Sequence, residues 1–157
     1  MKINIGLDDT QRAGVAEKLN RLLADEVLLY VKTRNYHWNV QGPDFSETHK
    51  LFEAQYEELD EIMDQVAERT RMLGARAAGS MSQFLEMTQL KEDKGTTTGE
   101  KEMFTGLLID HESVVRRLRE DLDVVGDKFH DLGTQDFLTG LMEQHEKMAW
   151  MLRSYMG

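Results

Sequence analysis

Apolar residues recur at three- and four-residue spacing along four long stretches of this chain, and each stretch reads as an amphipathic helix. The first opens near Asp9 or Thr10, both suited to N-capping, and carries Val15, Leu19, Leu22, Leu29 and Tyr36 on one stripe. Leu23, Val27 and Tyr30 widen that stripe, and the helix is predicted to end by Val40. There Gln41-Gly42-Pro43 forces a turn, because glycine frees φ and proline moves its neighbour out of the helical region. The second helix is predicted from Asp44, with Glu47 completing a capping box, along the seam Phe52, Tyr56, Leu59, Met63, Val66, Thr70 and Leu73. Gly74 supplies its stop. A linker this short makes the two helices antiparallel neighbours.

Residues 75–97 break the pattern. They are rich in Ala, Gly, Ser and Thr, and the cluster Met81, Phe84, Leu85, Met87 and Leu90 predicts only a turn or two of helix. A third long helix is expected from about Thr97, with Glu100 as its capping partner, through Met103, Leu107, His111, Val114, Leu118, Leu122 and Val125 to a stop at Gly126. The fourth, capped by Thr134, carries Leu138, Leu141, His145, Met148, Leu152 and Tyr155. Two hairpins joined by a long crossover define an all-α, ferritin-like four-helix bundle with a short helix in the crossover. The expectation is a single domain over 1–157, with 1–8 as a short N-terminal tail.

Composition narrows the partners. The chain has 157 residues, 19 Lys and Arg against 29 Asp and Glu, and a formal charge of −10. It contains no cysteine, which excludes disulfides, thiolate nucleophiles and Cys-ligated metals. That charge does not suit a phosphate backbone. No apolar run approaches the roughly 18 residues of a membrane span. No signal-type apolar core follows Met1, so the expected location is cytoplasmic. Phosphate-cradling glycine motifs are absent, and no glutamate is followed by histidine three positions later, as an in-bundle di-iron site would require.

The remaining chemistry lies on the second helix. At 100° per residue, His49, Glu53, Asp60 and Asp64 fall within about 60° of one another, and Glu68 extends the strip to about 100°. On periodicity alone a solvated acidic face is the simpler reading. His37 and His49, however, flank Pro43 symmetrically, so the hairpin sets them at one level. His49 and Asp64 are about 22 Å apart along the axis, too far for one chain to wrap one metal. A two-fold axis running the helix antiparallel past its mate would bring His37 and His49 of one chain to Asp64 and Glu68 of the other. Imidazole and oxygen donors without thiolate suit Fe(II), Mn or Zn. His111 and His145 sit on apolar stripes and read as hydrogen-bonded interior residues, and His130 lies in a loop.

The stretch Tyr36-His37-Trp38-Asn39-Val40-Gln41-Gly42-Pro43-Asp44-Phe45, followed by His49, Leu59-Asp60-Glu61, Met63-Asp64 and Ala67-Glu68-Arg69, resembles the Dps mini-ferritins of starved cells. Gly133 to Trp150 is similar to that family's last helix. The resemblance implies a hollow homo-oligomer of twelve subunits, built from two-fold dimers with ferroxidase sites at their interfaces. It implies His37, His49, Asp64 and Glu68 as metal ligands, Glu53 as the nearby carboxylate and Trp38 as a radical-intercepting tryptophan. It implies Asp131 and Asp136 as iron-entry pore residues, although Asp136 also suits the first turn of a helix. Glu57, Asp60 and Glu61 are candidates for an inner mineralising surface or a plain solvent face.

The implied activity is oxidation of Fe(II), in this family preferentially by hydrogen peroxide, with storage of Fe(III) and protection from oxidative stress. Many relatives bind DNA through basic tails. Met1 to Thr10 hold only Lys2 with Asp8 and Asp9, so DNA binding is expected to be weak or absent and no DNA-binding residue is assigned. A DNA-compacting protein with incidental iron binding is the alternative, and a purely structural helical oligomer a second.

Overall fold

A computed structural model describes residues 3–157; Met1 and Lys2, the first residues of the expected tail, lie outside it. The described residues form five α-helices: α1 (Asp9–Asn39), α2 (Phe45–Met72), α3 (Met81–Met87), α4 (Glu100–Asp123) and α5 (Leu132–Met156). A π-helical turn, Val124–Lys128, continues α4. Helices α1 and α2 pair along their length, as do α4 and α5, while α3 lies on α1. This is the predicted arrangement of two hairpins and a crossover carrying a short helix.

The core explains why α1 is long and buried on several sides. Val15, Leu19, Leu29, Phe52, Leu59, Leu107 and Val114 are wholly buried, and α1 also takes Asp25, Glu26, Lys32 and Thr33 inside. Each buried charge has a partner, as burial demands. Lys32 pairs with Asp110 on α4, and Lys18 meets the buried Asp121 at 2.7 Å. Burial pushes the Asp110 carboxyl up, against the pull of Lys32. Asp25 holds the crossover, accepting bonds from Thr88 Oγ1 at 2.7 Å and Gln89 N at 2.8 Å. Asn20 adds bonds to the Arg76 carbonyl and the Ala78 amide. A crossover without long apolar periodicity is thus tied to α1 by polar bonds.

Four helix starts differ from the sequence reading. Asp8 caps α1 in a reciprocal capping box with Gln11. Asp44 caps α2 without a side-chain bond, and Glu47 faces Lys50 at 3.6 Å in place of the expected box. Gly99 caps α4, leaving the Glu100 carboxylate to accept from Thr48 Oγ1 and tie α4 to the start of α2. Asp131, with Thr134 as its donor, caps α5.

The expected stop at Gly126 is replaced by the π-turn. A Cβ there would meet Gln135 Nε2 at 2.1 Å, so glycine allows Gln135 to reach the Leu122 carbonyl at 3.2 Å. The chain reverses one turn later at His130, whose φ is 57°.

Candidate metal centre

The Gly42-Pro43 turn returns α2 along α1 and places His49 against His37. Their rings stack with centroids 3.7 Å apart. His37 Nδ1–H donates to the His49 carbonyl at 2.9 Å, and His49 Nδ1–H donates to the His37 carbonyl at 2.8 Å. A carbonyl can only accept, so both rings are held in the Nδ1–H tautomer with the Nε2 lone pair free. That is the orientation a metal-ligating imidazole needs, with its outer nitrogen anchored to backbone. His37 is buried and His49 half-buried, and Phe45 lies 5.0 Å from the His49 ring.

Carboxylates are distributed as the helix register dictates. Glu53 is half-buried one turn beyond His49, while Asp60, Asp64 and Glu68 are exposed. Asp64 opens on a shallow cleft lined by Leu23, Met63, Ala67, Ala78 and Phe84. Among the described residues of one chain, no group of three or more His, Asp or Glu gathers in metal-holding geometry. The candidate residues thus fall in two groups along the helix: His37, His49 and Glu53 near one end of α2, Asp64 and Glu68 toward the other.

An aromatic and cationic cluster borders the histidine end. Tyr56, assigned to the apolar seam in sequence, is half-buried with its ring edge-on to His37 at 5.1 Å and its hydroxyl 3.4 Å from Glu53 Oε1. Loss of hydration and then the Glu53 charge push the Tyr56 hydroxyl above its ordinary value. The Arg34 guanidinium lies over the rings of Tyr56, Trp38 and Tyr30 at 4.4, 5.3 and 5.5 Å. Trp38 itself is 63% exposed. The signal for Tyr56 was available in sequence, since seven residues after His49 is two helical turns on the same face.

The two aspartates singled out for a pore differ. Asp131 is buried, with Oδ1 accepting from Thr134 N at 3.0 Å and Arg69 at 3.3 Å, and Oδ2 accepting from Thr134 Oγ1 at 2.5 Å. Asp136 is exposed one turn along α5.

A second histidine pair lies inside the bundle. His111 and His145 are wholly buried, with Nδ1 atoms 3.0 Å apart, and His145 Nε2 lies 2.9 Å from Glu26 Oε1. Burial, and secondarily His145, holds the His111 ring well below 6.5 and therefore neutral. The Glu26 carboxylate oxygen accepts from His145 Nε2–H and the two Nδ1 atoms share one hydrogen bond, which leaves His111 Nε2 without a partner. Both histidines are interior hydrogen-bonded residues, as the apolar stripes indicated; Glu26, which completes the network, carried no such signal.

A four-helix bundle with a long crossover and histidine and carboxylate donors along α2 places the protein in the ferritin-like class. Residues 16–157 match the family model of the ferritin-like domain. The chain is 52% identical to a low-temperature-induced protein of Nostoc sp. over 99% of its length and 87% of that protein. It is 36% identical to the DNA protection during starvation protein of Brevibacillus brevis, over 90% of the chain and 94% of the relative. The crystal structure of a Dps protein from Vibrio cholerae, described as a member of the ferritin-like diiron-carboxylate superfamily, superposes with a TM-score of 0.92. It has 34% identity and covers 100% of this chain and 98% of that one. The chain belongs to the Dps family. Among the described residues no helix is long and apolar enough to cross a membrane.

Proposed function

We propose that the protein is a ferroxidase and iron store. It oxidises Fe(II), with hydrogen peroxide as the oxidant, at sites shared between two subunits and retains Fe(III) inside a dodecameric shell. The observation that carries this is the His37–His49 lock, which occupies both Nδ1 atoms with backbone carbonyls and leaves both Nε2 atoms for a ligand, while the described residues of one chain gather no complete ligand set. Exposed apolar side chains lie toward both ends of α2, with Trp38 and Phe45 near the histidines and Met72 and Met81 beyond the carboxylate end, as a subunit contact would require. Asp64 and Glu68 of a second copy complete the donors, and Glu53 is the nearby carboxylate. Imidazole nitrogen and carboxylate oxygen suit ferrous iron and stabilise the ferric product.

The reaction balances as two Fe(II), one peroxide and two protons giving two Fe(III) and two waters. Peroxide is thereby consumed without release of hydroxyl radical, which makes the activity protective in a cytoplasmic setting. Iron enters near the α5 start, where Asp136 offers an exposed carboxylate and Asp131, with Arg69, shapes the turn that presents it. Trp38, exposed beside the site, is a candidate to intercept stray radicals. With a chain charge of −10, DNA is a poor ligand for such a shell.

The test is complementation. His37→Ala with His49→Ala in one chain, and Asp64→Ala with Glu68→Ala in another, each abolish peroxide-driven Fe(II) oxidation. Unfolded and refolded together, mixed dimers regain one intact site of two, and activity returns. If the mixture stays as inactive as its components while assembling normally, the shared site is wrong.

A further inference from the structure

We propose that Tyr56 is a one-electron donor to the peroxide reaction, used when the His37–His49 site holds a single Fe(II). The proposal rests on the ferroxidase reading above. Tyr56 is the tyrosine whose ring contacts a ligand histidine, 5.1 Å from His37, and its hydroxyl faces the Glu53 carboxylate at 3.4 Å. A phenol beside both an oxidising centre and a base can lose its electron and its proton together, and so forms a neutral radical.

Peroxide needs two electrons and two protons to become two waters. Two Fe(II) provide both electrons; a lone Fe(II) provides one, and the unmatched electron is the source of hydroxyl radical. With Tyr56 as the second donor, Fe(II), Tyr56–OH, H2O2 and one proton give Fe(III), the Tyr56 phenoxyl radical and two waters. Iron and phenol each lose one electron, and the O–O bond breaks. The phenolic proton passes through Glu53 to a product water, and solvent supplies the other.

The neighbouring rings are less suited. Oxidising Trp38 first creates an indole radical cation, and the Arg34 guanidinium 5.3 Å away opposes that charge. Tyr30 stands edge-on to Tyr56 at 6.2 Å, but its oxygen accepts from Arg34 at 2.7 Å and has no carboxylate in hydrogen-bond reach among the described residues. Arg34 lies closer still to Tyr56, at 4.4 Å, but a phenol that passes its proton to Glu53 as it loses the electron ends as a neutral radical, which the guanidinium does not oppose.

The experiment uses the full-length protein loaded anaerobically with one or two Fe(II) per site, then mixed with peroxide and freeze-quenched. Electron paramagnetic resonance reads the radical, and a spin trap reads escaping hydroxyl radical. The expected result is a tyrosyl signal at one Fe(II) per site that shrinks at two. Tyr56→Phe removes the signal and raises the spin-adduct yield severalfold at one Fe(II) per site, whereas Tyr30→Phe and Trp38→Phe keep it. An undiminished tyrosyl signal in Tyr56→Phe, a tryptophanyl signal in its place in the parent protein, or an unchanged spin-adduct yield overturns the proposal. Absorbance of ferric product in the parent sample reports separately on the ferroxidase reading, which fails if peroxide leaves Fe(II) unoxidised.

Discussion

His37 and His49 bond to backbone carbonyls and stack at the edge of the bundle, whereas His111 and His145 bond ring to ring in its centre with Glu26 behind them. In the first pair the backbone takes the Nδ1 protons, so two lone pairs remain for something outside the chain. In the second, side chains absorb each other's capacity and one ring nitrogen is stranded by burial. The same side chain thus keeps a lone pair open to a ligand from outside at one place and is enclosed within the core at the other. The deciding factor is whether its hydrogen-bond partner is main chain or another titratable group.

The sharpest way to break this contrast is to exchange the readouts. His37→Ala should lower peroxide-driven Fe(II) oxidation by more than about tenfold, since even residues that merely orient ligands cost roughly 10–100-fold. His111→Gln should leave that rate within about twofold, measured by stopped-flow absorbance on matched assemblies. Stability should respond the other way. Glu26→Ala removes one partner of a buried pair and should cost about 3–5 kcal/mol in urea unfolding at fixed protein concentration. Glu53→Ala, at a half-buried position, should cost less than about 1 kcal/mol.

Acidity gives a third test. The folded His111 ring binds a proton less readily than the unfolded one, so unfolding takes up a proton once pH falls past the ordinary value of 6.5. Stability is full above that value and declines below it, and His111→Gln should make the decline shallower in melts across that range. The smallest effect concerns the two aspartates, which repeat the contrast on α5. Asp131→Ala removes a cap and should cost about 1–2 kcal/mol, while Asp136→Ala should change unfolding by under about 0.5 kcal/mol and slow iron uptake instead.

Much of the architecture could be read from spacing. The Phe52-to-Leu73 seam, the Gly42-Pro43 turn and the sparse apolar content of 75–97 each led to the element found there. Helix starts were less legible, because Glu47 and Glu100 have the right type and offset for capping but meet Lys50 and Thr48 in three dimensions. The π-turn escaped for a related reason: Gly126 looks like a stop, and the close approach of Gln135 that requires glycine there is seen only in three dimensions. At the site, the symmetric placement of His37 and His49 about Pro43 was visible, but the exchange of bonds with each other's carbonyls was not. Glu26 was hidden because a carboxylate that follows Asp25 reads as part of a solvent-facing pair until its histidine partner is known.

That exchange of bonds makes the histidine pair a unit with no spare part. Each ring is oriented by the main chain of the residue that carries the other, across the only turn joining α1 to α2. A hinge motion at Gly42-Pro43 large enough to part the helices would misalign both donors at once. On the proposed reading, the grip on the first metal ion is also a clasp on the hairpin. Any substitution that loosens that turn, even one touching neither histidine, should register as weakened metal affinity before it registers as lost fold.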